Sequence, residues 1–570
     1  MASLHLEGAF SAISRVLGSI TFLALCSLTF SYLLSIATYR LYFHPLAEHP
    51  GPLLGRLTQA YDVYHAYHGS KHINFLNLHE KYGTVVRYSP NSLSINDPAA
   101  LRAIYGHGAN VQKAPGFYFG FRAAPTAIST LLATEKAHHA RKRRIMGQAF
   151  SDNAMRGLET YVLENINVFM SHIESGVEIA KARGARWSEK IDMGKLNNYL
   201  VFDIMGDLVF GKSFGTLGEK PENRKAIHLL GRAARRNYTV AAMPFLYKTG
   251  IERYLPLFRG LWLDRSKYLA FGKGQVMQRM TDKSFGETGR KDIFSYLLTA
   301  KDPESGIGMP KGELFMEGNT LIVAGSDTSS TTLSATLFYL LQHPSCLQRL
   351  TEEIRAAFCN EDEIQTGSKM QACTYLRACI DEAMRMSPAV PGLLPRLVLP
   401  GGLHIPALDL EIPAGIDVGV CTYAIHHHKD YVAEPFVYNP DRWLTPSMIV
   451  SRPEVHRSDS GVSLSEERAA DEKTTGLQQH QAKEALHSVF APFSLGNRAC
   501  LGKPLVYMEL SIALARLLYR YDMRIVRAES SDPGVRQDLK SGKRKKGDYH
   551  VRDWFLSANE GPVVEFAARH

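Results

Sequence analysis

The residues best suited to chemistry lie in Ala491-Pro-Phe-Ser-Leu-Gly-Asn-Arg-Ala-Cys-Leu-Gly502, which sets one cysteine, Cys500, at the start of a long apolar segment. Gly496 can take positive φ and lets the backbone run close to a flat ligand. Arg498 offers a fixed fork of donors that suits a carboxylate. Pro504 is tolerated in a first helical turn, where its missing N–H has no partner to lose. Leu505 to Leu518 is apolar on almost every face, the pattern of a buried helix. A cysteine at the positive end of that helix is biased toward thiolate, the form that attacks or ligates. A lone cysteine is more often a small buried hydrophobe, so its neighbours must decide.

A second stretch pairs an acid with an alcohol. Lys311 to Gln342 has few breakers and stops before Pro344, so the pattern predicts a helix of about 48 Å. Its middle, Leu321-Ile-Val-Ala-Gly-Ser-Asp-Thr-Ser-Ser-Thr-Thr332, sets one Asp, one Gly and six hydroxyl residues between apolar flanks. Such hydroxyls can bond back to the i−4 carbonyl and bend the helix. The alternative is two helices, the second capped by Ser326 or Asp327.

Taken together, Phe493, Gly496, Arg498, Cys500 and Gly502 resemble the Phe-x-x-Gly-x-Arg-x-Cys-x-Gly loop of the cytochrome P450 family. In that family the cysteine thiolate is the axial ligand of haem iron, and the resemblance carries that role to Cys500. Ala324, Gly325, Asp327, Thr328 and Ser329 resemble the family's acid–alcohol helix motif, which implies proton handling by Asp327 and Thr328 in oxygen activation. His139-Ala-Arg-Lys-Arg-Arg144 stands where the family carries Trp-x-x-x-Arg around a haem propionate, with His139 for the Trp and Arg143 for the Arg. Histidine can still donate to a carboxylate. Arg141, Lys142 and Arg144 are then expected to face outwards as part of a docking patch for a reductase. Pro391-Gly-Leu-Leu-Pro-Arg396 looks like the turn that lines the substrate cavity and sends Arg396 to a propionate. Glu382 and Arg385, three apart on a helix expected over Gln371 to Met386, face one another. With Phe436-x-x-x-Pro440-Asp-Arg442-Trp443 they resemble the family's Glu–Arg–Arg network, a structural lock behind the haem loop.

The rest of the chain must position these groups. Its 570 residues, 45% hydrophobic and 21% charged, suit a large single-core enzyme. The formal charge of +10 is too diffuse to argue for nucleic acid. Seven cysteines without a Cys-x-x-Cys pair argue against a disulfide framework or a zinc site, and for a reducing compartment. Val16 to Ala37 is 22 residues without a charge, long enough to cross roughly 30 Å of hydrocarbon. Tyr39-Arg40-Leu-Tyr42 follows it instead of a small-residue cleavage site, so an uncleaved anchor is expected rather than a signal peptide. Arg40 and Arg56 after the span give a weak basic excess that leaves the globule on the cytoplasmic side. His44 to Pro52 is too proline-rich for helix and reads as a stiff linker.

Val85 to Tyr88 and Ser92 to Ile95 flank Ser89-Pro-Asn91, a hairpin signal, and Pro98 to Tyr105 reads as a short helix. The aromatic, glycine-rich Gly116-Phe-Tyr-Phe-Gly-Phe-Arg122 matches by position the loop that roofs the family's substrate pocket. Trp187 to Lys301 is mostly amphipathic helix, where the family's lid lies. Ser451 to Leu486 has no aromatic residue and is rich in polar residues, so it is expected to be a disordered insertion. Phe555 to Val564 matches a C-terminal loop reaching into the pocket.

The resemblance therefore implies a mainly α fold with a smaller β region, the cytochrome P450 fold, preceded by one transmembrane helix. It divides the chain into an anchor (1–39), a hinge (40–56) and a haem-thiolate domain (57–570). It implies haem b held by Arg143, His139, Arg396, Phe493, Gly496, Arg498, Cys500 and Gly502, and a single-pass protein of the endoplasmic reticulum membrane. The substrate is expected to be an apolar small molecule, in the pattern of fungal members that tailor polyketides, terpenes or aromatic acids. With no dinucleotide fingerprint and 70 residues after Cys500, electrons are expected from a separate NADPH-dependent flavoprotein reductase. A haem-thiolate isomerase or dehydratase, or a haem-binding sensor without turnover, is the alternative; the intact Asp327–Thr328 pair argues against the isomerase.

Overall fold

The computed structural model describes residues 2–123, 127–218, 220–281, 290–445, 480–526 and 547–569, with side chains from residue 19 onward. The chain begins with helix α1 (Ala2–Thr38). Among the described residues, one helical stretch is long and apolar enough to cross a bilayer: Ser19–Phe43, 25 residues of mean hydropathy 1.9, none of it buried in the protein. The proline-rich segment after it lies on the globule. Arg87, buried at 0% exposure, donates to the carbonyls of Arg40 (2.7 Å), Leu46 (3.2 Å) and Pro90 (2.9 Å). Gly51 passes so close that a Cβ there would sit 2.0 Å from the Arg87 carbonyl oxygen. The chain leaving the apolar helix is thereby fastened to the globule.

The hairpin forms as its turn residues dictate, with β1 (Val85–Ser89) antiparallel to β2 (Ser92–Ile95). Three further strands, β3 (Val111–Lys113), β4 (Arg396–Val398) and β5 (Asp417–Gly419), complete a sheet of order β1-β2-β5-β4-β3. The β3–β4 register sets Lys113 directly opposite Arg396. Like charges across a strand pair are destabilising on their own, so this pairing has to be explained by what it faces.

Seven helices build the site: α2 (Lys136–Gln148), α3 (Met193–Phe210), α4 (Arg224–Ala241), α5 (Pro256–Thr281), α6 (Lys311–Gln342), α7 (Thr374–Met386) and α8 (Lys503–Arg520). Helix α6 is continuous, so neither Ser326 nor Asp327 caps a second helix. Its hydroxyls bond back instead: Ser326 Oγ to Ile322 O at 2.6 Å, Thr328 Oγ1 to Ala324 O at 2.7 Å and Thr332 Oγ1 to Thr328 O at 3.0 Å. Gly325 allows α3 to approach, because a Cβ there would lie 2.4 Å from Met205 Sδ.

Two expectations change. The helix expected over Gln371 to Met386 is broken at Cys373, because the Glu353 carboxylate accepts the N–H groups of Tyr375 and Leu376 at 2.9 Å each and starts α7 afresh. Of the stretch read as a disordered insertion, 451–479 lies outside the described residues. Residues 480–489 form a helix, and Leu486 is 3% exposed because it packs into the core.

The lock behind the loop has more members than its motif. Glu382 accepts from Arg385 Nε (2.9 Å) and Nη2 (2.8 Å), Arg442 Nε (3.0 Å), Trp443 Nε1 (2.9 Å) and the Asn439 N–H (3.0 Å). Arg385 also donates to the carbonyls of Pro435 and His426, and His426 Nε2 accepts the Ala491 N–H at 3.0 Å. The network thus reaches the first residue of the cysteine loop. Burial pushes the Glu382 carboxyl up, but Arg385 and Arg442 more than offset it and hold it below 4.5. Burial pushes Arg442 down, yet leaves it cationic. A carboxyl depressed in the folded state contributes stability that is present above 4.5 and lost as pH falls below it. We expect Arg385→Ala to cost about 3–5 kcal/mol, since it strands a buried charge, read as a lowered melting temperature of the holoprotein. The difference between wild type and variant should narrow as pH falls below 4.5.

Candidate functional site

The cysteine loop is shaped by its own backbone. Cys500 N–H donates to Phe493 O at 2.9 Å, and Gly496 has φ of 63° with room for no Cβ, which would meet Tyr105 O at 2.4 Å. Gly496 thus also packs closely against the Tyr105–Gly106 backbone. Gly502 stands beneath the sulfur, where a Cβ would lie 3.8 Å from Cys500 Sγ. The Cys500 side chain opens onto an internal cavity of about 300 Å³. Burial pushes its thiol up, opposed by the Gly502 and Lys503 N–H groups and by Arg143 and Lys503. The helix start alone thus does not set a thiolate; a coordinated cation would.

The same cavity is lined by Phe493 from the loop, by Val323, Ala324 and Thr328 from α6, and by aromatic side chains above. Phe555 is the turn of a hairpin between β6 (Val551–Trp554) and β7 (Leu556–Asn559), with φ of 77°. Its ring meets Phe121 at 5.0 Å between centroids, so the C-terminal turn and the aromatic segment Gly116–Arg122, which forms short helical turns rather than the expected loop, make one roof.

Of the cations that line the cavity, three lie close together: Lys113, Arg396 and Arg498. Each is satisfied only by neutral groups. Arg396 Nη1 donates to Tyr118 Oη at 3.1 Å, Lys113 Nζ to Leu131 O at 2.5 Å, and Arg498 to the carbonyls of Ala133 and Thr134. Among the described residues no carboxylate forms an ion pair with any of them. Burial, then Arg396 and Arg498, push the Lys113 ammonium far down; burial and Arg396 bring Arg498 to about 10. Buried cations without counter-ions are costly, so the arrangement fits a dianionic group seated among them. A sulfur ligand with a nest of cations beside it suits a haem and its two propionates.

Other expected residues stand behind this wall. Arg143 Nη1 donates to Ala499 O at 2.6 Å, tying α2 to the loop. His139 is 4% exposed; burial and the neighbouring cations, Arg498 first, hold its imidazole at about 2, so it stays neutral. Of the three residues expected to face outwards, Lys142 does not, while Arg141 and Arg144 are half-buried and engaged. Lys142 is buried at 0% exposure and bonds Glu317 at 3.1 Å and Glu313 at 3.0 Å; Arg144 bonds Asp302 at 2.6 Å; Arg141 bonds Gly308 O at 2.6 Å. These residues tie α2 to α6 and to the segment before it.

Thr328 reaches the cavity and Asp327, one residue earlier, does not. Burial pushes the Asp327 carboxyl up to about 7, and among the described residues no side chain hydrogen-bonds to it. Two groups escaped the sequence reading. Lys113 is a single lysine in a three-residue strand, legible only through its register with Arg396. Glu509 in α8 accepts from Ser329 Oγ at 3.2 Å and is raised by burial to about 8, a neutral acid joining α8 to the turn that holds Thr328.

Comparison with known proteins fits this geometry. The Cytochrome P450 family model matches residues 45–550. The chain is similar to the cytochrome P450 monooxygenase AKT7 of Alternaria alternata, 36% identical over 550 residues, covering 96% of this chain and 97% of that one. It is also similar to the cytochrome P450 monooxygenase atnE of Emericella nidulans, 35% identical with 93% of each chain covered. A crystal structure of the cytochrome P450DA heme domain shares the fold, with TM-score 0.65 at 17% identity over 88% of this chain and 93% of that one.

Proposed function

The chain belongs to the cytochrome P450 family and is a haem-thiolate monooxygenase, and on that premise we propose its cofactor, site, substrate class and partners. The cofactor is haem b. Cys500 would ligate the haem iron, Phe493 would line the cavity beside it, and Gly496 and Gly502 shape the loop. Arg396, Arg498 and Lys113 bind the propionates directly, while Arg143 and the neutral His139 support them from behind. When bound, the haem supplies dioxygen binding and reductive activation, with electron donation from the thiolate favouring O–O cleavage.

The chain's own residues do the remaining work. The Thr328 hydroxyl, its proton committed to Ala324 O, presents its oxygen to the cavity as an acceptor. Asp327, poised near neutral pH, exchanges protons at its carboxylate and passes them toward Thr328. The aromatic roof and the lid helices exclude water and hold the substrate, a hydrophobic small molecule such as a polyketide, terpene or aromatic acid of secondary metabolism. Electrons come from NADPH through a separate flavoprotein reductase. Residues 1–39 anchor the protein in the endoplasmic reticulum membrane, 40–56 join the anchor to the globule, and 57–570 form the catalytic domain on the cytoplasmic side.

The observation that carries this reading is that Cys500, three counter-ion-free cations and Thr328 open onto one cavity from separate elements. In a reconstituted system with a microsomal reductase, we expect NADPH oxidation to rise with substrate and one oxygen atom to enter the product. Rearrangement without NADPH would mark an isomerase. Haem binding with no turnover on any apolar substrate would mark a sensor.

A further inference from the structure

The lid side of the cavity is not apolar throughout. Asn237 of α4, Arg265 and Tyr268 of α5, and Asn319 and Thr320 of α6 all line it. Arg265 and Tyr268 are one helical turn apart and share a face of α5. Tyr268 is 3% exposed and its hydroxyl, like Asn319 Oδ1, lacks a hydrogen-bond partner. Leaving such atoms unsatisfied inside a protein costs free energy unless a ligand meets them.

Arg265 is the charged member. Its Nε donates to Asn237 Oδ1 at 3.0 Å and its Nη2 to Arg122 O. Among the described residues it has no ion pair. The two nearby carboxylates are engaged: Arg236 holds Glu252 with two nitrogens, and Arg232 bonds Asp264. Burial, with Arg236 adding to it, brings the Arg265 guanidinium down to about 10, so it remains cationic at neutral pH. The lid therefore presents a fixed positive fork with spare donors beside an unpaired phenol, apart from the cations Lys113, Arg396 and Arg498 that line the same cavity. Asp327 is the acid whose charge reaches Tyr268, and its raised pKa leaves it partly neutral there.

We propose that the substrate is an amphiphile: an apolar body lying toward Cys500 and a carboxylate head gripped by Arg265, with Asn237 and Tyr268 completing the grip. The proposal rests on the haem reading of the cavity floor and adds the class of group at the other end. A guanidinium fork matches a carboxylate with two parallel donors, which also fixes the substrate's direction and hence which carbon lies near Thr328.

The test uses the holoenzyme and probes anchored at the iron. ω-(Imidazol-1-yl)alkanoic acids of six to twelve carbons are compared with their methyl esters by the Soret shift that imidazole ligation produces. At the chain length that spans the cavity, the acid should bind wild type at least about tenfold tighter than the ester. In Arg265→Gln the preference should fall below about twofold, in Arg265→Lys part of it should return, and in Tyr268→Phe it should drop about threefold. Unsubstituted imidazole should bind wild type and variants alike, which a merely structural role for Arg265 would not guarantee. Equal binding of acid and ester by wild type at every length would overturn the proposal without any variant, as would a preference that survives Arg265→Gln. Failure of plain imidazole to shift the Soret band would instead count against the haem assignment.

Discussion

Cys500→His should fold and bind haem, show the reduced carbonyl spectrum of an imidazole-ligated haem, and lose monooxygenase turnover altogether. The expectation follows from elimination among all seven cysteines. Cys373, Cys379 and Cys421 are buried in the core, where burial pushes the thiols up, Cys421 to about 12 and Cys373 to about 11. Cys26 and Cys359 face outwards, and Cys346 is half-buried against the core. Only the Cys500 sulfur opens onto the cavity that the cations share. Cys421→Ser, the control, should keep the thiolate-type spectrum. A Cys500→His protein that also kept it would end the assignment.

Asp327→Asn should slow substrate-dependent turnover by at least about 10²-fold, within the range that a positioned proton donor contributes. It should act on stability in the opposite sense. The Asp327 carboxyl is raised in the folded protein, so the fold binds a proton more readily than the unfolded chain, and stability declines as pH rises from about 4 to about 7. Removing the charge should therefore raise the melting temperature most at pH 8 and change it little at pH 4 or below. Thr328→Ala should consume NADPH but release more hydrogen peroxide per NADPH and less product. Its Oγ1 only bonds back within α6, and alanine is the better helix former, so the melting temperature should hold or rise. A capping role would behave otherwise, costing roughly 1 kcal/mol with coupling unchanged. Lowered stability with intact coupling would refute proton handling by this pair.

Much of this was written locally in the chain. Helix α6 spans Lys311–Gln342 and a separate short helix spans Pro98–Tyr105, as breakers and periodicity alone predict. Hairpin β1–β2 follows from its turn residues, the membrane-length helix from an uncharged run, and the cysteine loop from five residues at fixed spacing. Each depends on neighbours within a few residues, and side-chain period and turn chemistry act over that range. What the chain could not announce involves partners far apart in sequence. The basic run at Arg141–Arg144 reads as a solvated patch, yet Lys142 is neutralised by Glu317, 175 residues away, and so becomes a core tie. Lys113 carries no motif and gains its place only because β3 pairs with β4, which brings it beside Arg396. Arg265 lies in an unremarkable amphipathic helix, and only the packing of α4, α5 and α6 around one cavity turns it inward with both nearby carboxylates already engaged. Spacing in a sequence fixes which groups can share a helix face or a turn. Whether a charge meets water, a counter-ion or neither is decided by which distant segments pack against it, and at this site that choice sets both the burial and the electrostatics.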